Sequence, residues 1–182
     1  VCVYRKLRIG IIGTGGIGLL CLMVAKAAGA GRLIAIDASE FARNNAKQMG
    51  ATHVIDARSP DVKEQVYAIL PKGPDLVVEA AGPIAAVNTM TSLLRRGTKW
   101  NVFGITTHEK FELDGGLTHF LEARMDSSFG TTPLAMQSAI RLMERGLVDP
   151  SKIISHTFDL KDIHKAMEVM GQPGRNKVMI HC

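Results

Sequence analysis

Gly13-Thr14-Gly15-Gly16-Ile17-Gly18 follows an apolar, strand-like run, Leu7 to Ile12, and opens a helical pattern from Leu19 to Ala28. A second apolar run, Leu33 to Ile36, is closed by Asp37, nineteen residues after Gly18. Strand, glycine turn, helix and spaced acid together make a dinucleotide-binding fingerprint in the context it requires. Gly13 allows the tight turn, Gly15 lets the backbone approach a pyrophosphate, and Gly18 lets the helix pack on the strand. The helix N-terminus offers free N–H groups and partial positive charge to phosphates. Asp37 is placed to accept hydrogen bonds from the adenosine ribose. A methyltransferase glycine loop carries an acid just ahead of its first glycine, whereas Ile11 and Ile12 stand there in this chain.

Composition agrees with a wound α/β domain. The chain has 182 residues, 46% of them hydrophobic and 5% aromatic, enough to bury a core but poor in the aromatic platforms that stack nucleic-acid bases. The net charge is +5 and the pI about 9.3. The cations are scattered along the chain, and their densest group, Arg5-Lys6 with Arg8, precedes the first strand. We read them as a solvated surface that also attracts an anionic cofactor, and expect neither a nucleic-acid nor a membrane partner. No run of 18 apolar residues is present, so no membrane-spanning helix is expected. The N-terminal basic group and the apolar stretch after it mimic a secretory signal, but five glycines between Gly10 and Gly18 interrupt the mimic. Three separated cysteines, Cys2, Cys21 and Cys182, argue against a disulfide framework and for a reducing, cytoplasmic setting.

Apolar runs alternate with helical patterns along the chain. Strands are expected at 8–13, 32–37, 53–55, 75–79 and 99–103. Helices are expected at 16–28, 39–49, 60–70 and 84–94. Ser39 suits an N-cap and Gly50 a helix stop. The first helix is apolar almost all round and is expected to be buried. Such alternation implies βαβ units, a parallel sheet and a doubly wound fold. Ligands in such sheets sit at the strands' carboxyl ends, here Gly13, Asp37, Glu79–Gly82 and Phe103–Ile105. Further on, a short helix at 117–124, a strand at 126–129 and a helix at 133–145 lead to a strand–helix–strand pattern at 152–158, 161–170 and 177–181. The expected organisation is a dinucleotide-binding domain over 1–130 and a C-terminal α/β appendage over 131–182.

These motifs resemble the medium-chain dehydrogenase/reductase family. The glycine turn, Asp37, Lys47-Gln-Met-Gly-Ala-Thr-His-Val-Ile55, Glu79-Ala-Ala-Gly82 and Val102-Phe-Gly104 are similar to its cofactor domain. Phe129-Gly-Thr-Thr-Pro133, Ile154–Phe158 and Lys177–Ile180 fit its tail, and Thr-Thr-Pro is similar to the zinc-dependent polyol and threonine dehydrogenase branch. The resemblance implies NAD as cofactor, with Gly13, Gly15, Gly16, Ile17 and Gly18 around the pyrophosphate. It places Asp37 on the ribose and Arg43 near the adenosine. Ala81, Gly104 and Ile105 would form the floor, Ser127 to Phe129 would meet the carboxamide, and Lys177 would lie near the pyrophosphate. For Arg43 and Lys177 a plain surface role is an equal alternative. The family places a zinc-bearing catalytic lobe ahead of this region, and about seven residues precede the first strand here. The expectation is therefore the cofactor half of an alcohol or polyol dehydrogenase, whose substrate reaches it through that lobe. The alternative is a non-catalytic NAD(H)-binding module, either a sensor or a subunit completed by another chain.

No catalytic or metal-ligating residue is assigned. Tyr67 and Tyr4 lack a lysine four residues on, His119-Phe-Leu-Glu122 lacks metal-ligand spacing, and His156 reads as structural. Cys21 reads as buried and inert. Met23, Met136, Met143, Met167 and Met170 read as core fillers. Further expectations are a preference for NAD over NADP, no stoichiometric zinc, and exposed apolar surface over 131–182 able to drive a homo-oligomer.

Overall fold

The structure, a computed structural model, describes residues 7–104 and 110–182. Five βα steps open the chain: β1 (Arg8–Ile12) and α1 (Gly16–Ala27), β2 (Arg32–Asp37) and α2 (Glu40–Met49), β3 (His53–Asp56) and α3 (Val62–Ile69), β4 (Leu76–Glu79) and α4 (Ile84–Ser92), β5 (Lys99–Val102) and α5 (Gly115–Phe120). β6 (Arg124–Ser127) completes a six-stranded sheet of order β3-β2-β1-β4-β5-β6. Every strand pair in it is parallel. This is the order of a Rossmann sheet, which reverses between β1 and β4 and opens a crevice there. The doubly wound expectation holds. Most helix ends move by a residue or two, the short helix expected at 117–124 ends four residues earlier, at Phe120, and the expected strand at 126–129 begins two residues earlier.

After β6, α6 (Pro133–Glu144) starts from Thr132, whose hydroxyl accepts the Ala135 N–H at 3.2 Å, with Pro133 in its first turn. The expected strand at 152–158 is split: residues 150–153 form a 3-10 turn and β7 (Ile154–Asp159) follows. Pro150 in that turn has a fixed φ and no N–H to pair. α7 (Ile163–Met170) then leads to β8 (Lys177–His181), which pairs parallel with β7 in a separate two-stranded sheet.

The six-stranded sheet packs a buried apolar cluster on each face. One cluster joins Ile34, Ile36, Ile55 and Val77 to α3, α4 and Trp100. The other joins Ile9, Ile11, Leu33 and Ala35 to Leu19, Leu22 and Met23 of α1 and Ala46 of α2, and it also takes in Val148 and Ile153. The stretch after α6 thus plugs into the core that α1 covers.

Two expectations about burial fail. α1 buries Gly18, Leu19, Leu22 and Met23, but Ile17 and Val24 are 45% and 44% exposed. Their face borders an apolar hollow of about 530 Å³ over β1 and β4, lined also by Leu20, Cys21, Leu76 and Val78. Among the described residues no element covers that part of the sheet. Met23 is a core filler, whereas Met136, Met143, Met167 and Met170 are all exposed. Met136 and Met143 lie on α6 and Met167 on α7, while Met170 borders the hollow over the glycine turn.

Candidate functional site

β1 and β2 are adjacent parallel strands, so their carboxyl ends bring the glycine turn and Asp37 side by side. The Gly13 N–H bonds the Ile36 carbonyl at 2.9 Å. The Thr14 N–H donates to Asp37 Oδ2 at 2.6 Å, and the Ser39 N–H donates to Oδ1 at 2.8 Å. The Thr14 hydroxyl also donates to Oδ2 at 3.3 Å, so Asp37 is oriented before any ligand arrives, with a lone pair remaining on Oδ1.

Two glycines of the turn are required by close approach. Gly13 has φ +82°, and a Cβ there would lie 2.6 Å from that of Ala81. A Cβ on Gly18 would lie 1.9 Å from the Gly13 carbonyl oxygen. Gly15 differs: it is exposed, and a Cβ there would meet nothing within 4 Å. It precedes α1 without any side-chain cap, so first-turn N–H groups that no helix can satisfy internally face open space.

Three hollows run along the carboxyl edge from this turn. The first, about 280 Å³, lies between Gly13, Asp37, Ala38 and Arg58 on one side and Ala81, Pro83, Ala86 and Thr89 on the other. The second, about 320 Å³, lies over Gly15, Gly16 and Ile17 and is bounded by Arg175, Asn176 and Lys177. The third, about 560 Å³, is lined by Ile17, Ala80, Ala81, Val102, Phe103, Gly104 and Ser127 to Gly130. Ala81 borders the first and third, while Ile17 and Ala80 border the second and third. The Lys177 side chain passes over Gly16, whose Cβ would sit 3.5 Å from its Cγ. Phe129 is fully exposed at the rim of the third hollow. Ile105, also expected here, lies outside the described residues.

Beneath the floor, Glu79 is completely buried. Its Oε1 accepts the Ala81 and Gly82 N–H groups, each at 2.7 Å, and shapes the turn after β4. Its Oε2 has no hydrogen-bond partner among the described residues and faces the hydrogen side of Gly104, 2.5 Å from where a Cβ would stand.

Arg43 is held away from the turn. Its Nη1 donates to the carbonyls of Asp37 and Ala38 at 2.7 and 2.9 Å, and its Nη2 lies 3.2 Å from Asp56 Oδ2. Asp56 also takes the Nε and Nη2 of Arg58 at 3.0 and 2.7 Å. The Arg58 side-chain hydrogen bonds, then its backbone N–H and the nearby guanidinium charges, hold the Asp56 carboxyl well below the usual carboxylate range. Arg58 is correspondingly raised, chiefly by its hydrogen bonds to Asp56. Sequence reading missed Arg58, Asp56 and Arg175 as parts of the site, and put Glu79 at a strand's carboxyl end without its burial beneath the floor. Asp56 ending a strand was the one signal available for the first two.

Other candidates lie apart. Among the described residues no three His, Cys, Asp or Glu side chains cluster to hold a metal ion. His156 shares a hydrogen bond with Ser155 Oγ at 2.9 Å, and that hydroxyl also accepts the Asn176 N–H, tying β7 to the start of β8. Cys21 is half-buried, and burial pushes its thiol up. No helix among the described residues is long and apolar enough to cross a membrane.

Comparison with known proteins places this geometry. The family model for zinc-binding dehydrogenases matches residues 16–145. Sorbitol dehydrogenase of Bacillus subtilis (strain 168) is 31% identical over 88% of this chain and 45% of its own length. L-threonine 3-dehydrogenase of the same strain is 33% identical over 91% of this chain and 49% of its own. A candidate zinc-binding dehydrogenase of Sinorhizobium meliloti 1021, solved with NADP bound, superposes with a TM-score of 0.89 at 29% identity, over all of this chain and 54% of that one. The chain spans about half the length of these relatives.

Proposed function

The chain belongs to the zinc-binding dehydrogenase family, and from that premise we propose that it is the NAD-binding domain of an alcohol or polyol dehydrogenase. The observation that carries this reading is the row of three joined hollows at the strands' carboxyl ends, with the uncapped glycine turn at its centre. Adenosine suits the first hollow, where the oriented Asp37 carboxylate accepts the ribose hydroxyls. The diphosphate suits the second, where the α1 terminus, Gly15, Gly16 and Ile17 meet Arg175 and Lys177. The nicotinamide half suits the third, over Ala81 and Gly104, with Ser127 to Phe129 beside it. The residues present fit the dinucleotide: open space at Gly15, first-turn donors without a cap, and a carboxylate held in place.

A nicotinamide dinucleotide supplies the hydride-accepting or hydride-donating carbon, and the chain's part is to hold and orient it. Glu79 fixes the turn on which the nicotinamide half rests. The described residues do not fit a zinc site, so no step is assigned to a metal here. Substrate polarisation and proton removal belong to residues outside these 182. The working protein acts on a CH–OH group, in a cytoplasmic setting and as a homo-oligomer. NAD is favoured over NADP because a 2′-phosphate would face the Asp37 carboxylate at close range, while Arg43 and Arg58 are engaged elsewhere.

Titration of the purified chain with NADH, followed by nicotinamide fluorescence, is expected to show saturable binding. Assays on a panel of alcohols and polyols, with and without added zinc, are expected to show no turnover. Absence of NADH binding would defeat the cofactor reading. Turnover by the chain alone would defeat the assignment of catalytic groups to residues outside it. Asp37→Gly is expected to relax the preference for NAD.

A further inference from the structure

We propose that Asp56 is a positioning residue that sets the choice between NAD and NADP without touching either: it keeps the guanidinium donors of Arg43 and Arg58 engaged and withholds them from a 2′-phosphate. The inference rests on the cofactor reading above. Asp56 closes β3 and stands in register with Asp37, which closes β2. Its Oδ1 accepts the Arg58 backbone N–H at 2.9 Å and the Arg58 Nε at 3.0 Å. Its Oδ2 takes the Arg58 Nη2 at 2.7 Å and lies 3.2 Å from the Arg43 Nη2. The remaining terminal nitrogen of Arg43 is spent on the Asp37 and Ala38 carbonyls.

Arg58 nevertheless lines the same hollow as Asp37, and 69% of its side chain is exposed. Glu40, in the first turn of α2, adds negative charge toward it. Three acids, Asp37, Glu40 and Asp56, therefore outweigh two arginines at the adenosine end. Arginine is well suited to phosphate because its fork gives paired, charge-assisted hydrogen bonds. Here Arg43 and the Nε–Nη2 edge of Arg58 already serve carbonyls and a carboxylate, so a 2′-phosphate meets Asp37 beside two cations that are both already paired. Removing the Asp56 charge frees the Arg58 fork on its exposed stem and brings the local balance from net negative to neutral.

The test is calorimetric titration of the 182-residue chain with NADH and with NADPH, each variant first checked by its thermal melt. Asp56→Asn is expected to strengthen NADPH relative to NADH by about tenfold, the worth of one charge-assisted hydrogen bond. Asp56→Glu keeps the carboxylate and is expected to keep the wild-type ratio. Adding Arg43→Gln and Arg58→Gln to Asp56→Asn is expected to abolish the gain. A structural role would weaken both cofactors together, so an unmoved ratio in a folded Asp56→Asn chain overturns the proposal. Should Asp56→Asn not fold, Arg43→Gln with Arg58→Gln in the native background decides. That pair leaves three uncompensated acids, Asp37, Glu40 and Asp56, and is expected to move the ratio further toward NADH, and no movement overturns the proposal. Failure of the wild-type chain to bind NADH defeats the cofactor reading itself, and this inference with it, and is distinguishable because it precedes any substitution.

Discussion

The glycines of the turn serve different masters. Gly18 is demanded by the fold, since a Cβ there would lie 1.9 Å from the Gly13 carbonyl oxygen, and backbone cannot swing aside as a flexible side chain can. Gly15 is not demanded by the fold: its φ is −66° and the space beside it is open. The two should therefore separate stability from binding. Gly18→Ala is expected to lower stability by roughly 1–3 kcal/mol, the usual cost of forcing an atom into packed surroundings. Gly15→Ala is expected to leave the thermal melt within about a degree or two, a surface-sized effect, while weakening NADH at least severalfold. Trp100, the chain's single tryptophan, is 1% exposed and reports unfolding in both. An unfolding midpoint for Gly15→Ala as low as that of Gly18→Ala would mean that the turn's first helical residues are structural rather than ligand-directed.

The opposite edge of the sheet is held by a different cluster. Asp75, just before β4, accepts the Arg8 backbone N–H, Nε and Nη2 at 2.9, 2.9 and 2.6 Å, and pairs with the Arg95 guanidinium after α4. Arg95 also bonds the Pro74 carbonyl at 2.9 Å. The cluster ties the start of β1, the start of β4 and the loop before β5. Burial would raise the Asp75 carboxyl, but the Arg8 hydrogen bonds and the charges of Arg8 and Arg95 outweigh it, and the net shift is downward. A carboxyl lowered in the folded state stabilises above its unfolded value and loses that contribution as pH falls through the folded value. Asp75→Asn is thus expected to cost about 1 kcal/mol at neutral pH, a few hydrogen bonds to a partly exposed charge. The gap between wild type and variant should close as the pH drops below about 4, the ordinary aspartate value. Denaturant melts at pH 7 and pH 3 measure it, and a gap that stays constant with pH would assign the loss to shape rather than charge.

Across the molecule, apolar surface is distributed unevenly. The hollow over β1 and β4 is walled almost wholly by apolar side chains, and Phe120, Phe129, Leu134 and Met167 are 76%, 100%, 71% and 61% exposed. Contiguous apolar surface of this kind binds hydrophobic dyes and favours association. The folded chain is expected to enhance anilinonaphthalene sulfonate fluorescence and to sediment with a concentration-dependent mass. Val24→Gln, at the mouth of the hollow, is expected to reduce the dye signal with a stability change within about 0.5 kcal/mol, as for other exposed positions. An undiminished dye signal would move the binding surface to α6 and the rim near Phe129.

The sequence by itself determined what rests on neighbours along the chain. The run from Leu7 to Asp37 settled the first βαβ unit, because apolar periodicity, glycine turns and a spaced acid are local signals. Ser39 was legible for the same reason, since an N-cap reaches only three residues ahead. Tertiary structure alone decided which apolar faces are covered. α1 is apolar nearly all round, yet half of it faces the open hollow, because burial depends on elements from elsewhere rather than on the helix's own composition. It alone brought Val148 and Ile153 into the core of α1 and split the strand expected at 152–158. It alone joined Arg43, Asp56 and Arg58, since an ion pair is a meeting of side chains whose directions no spacing reveals. Glu79 reads in sequence as the polar end of a strand. Only the fold shows it buried under the turn it holds, because parallel strands align their carboxyl ends and bury what lies beneath.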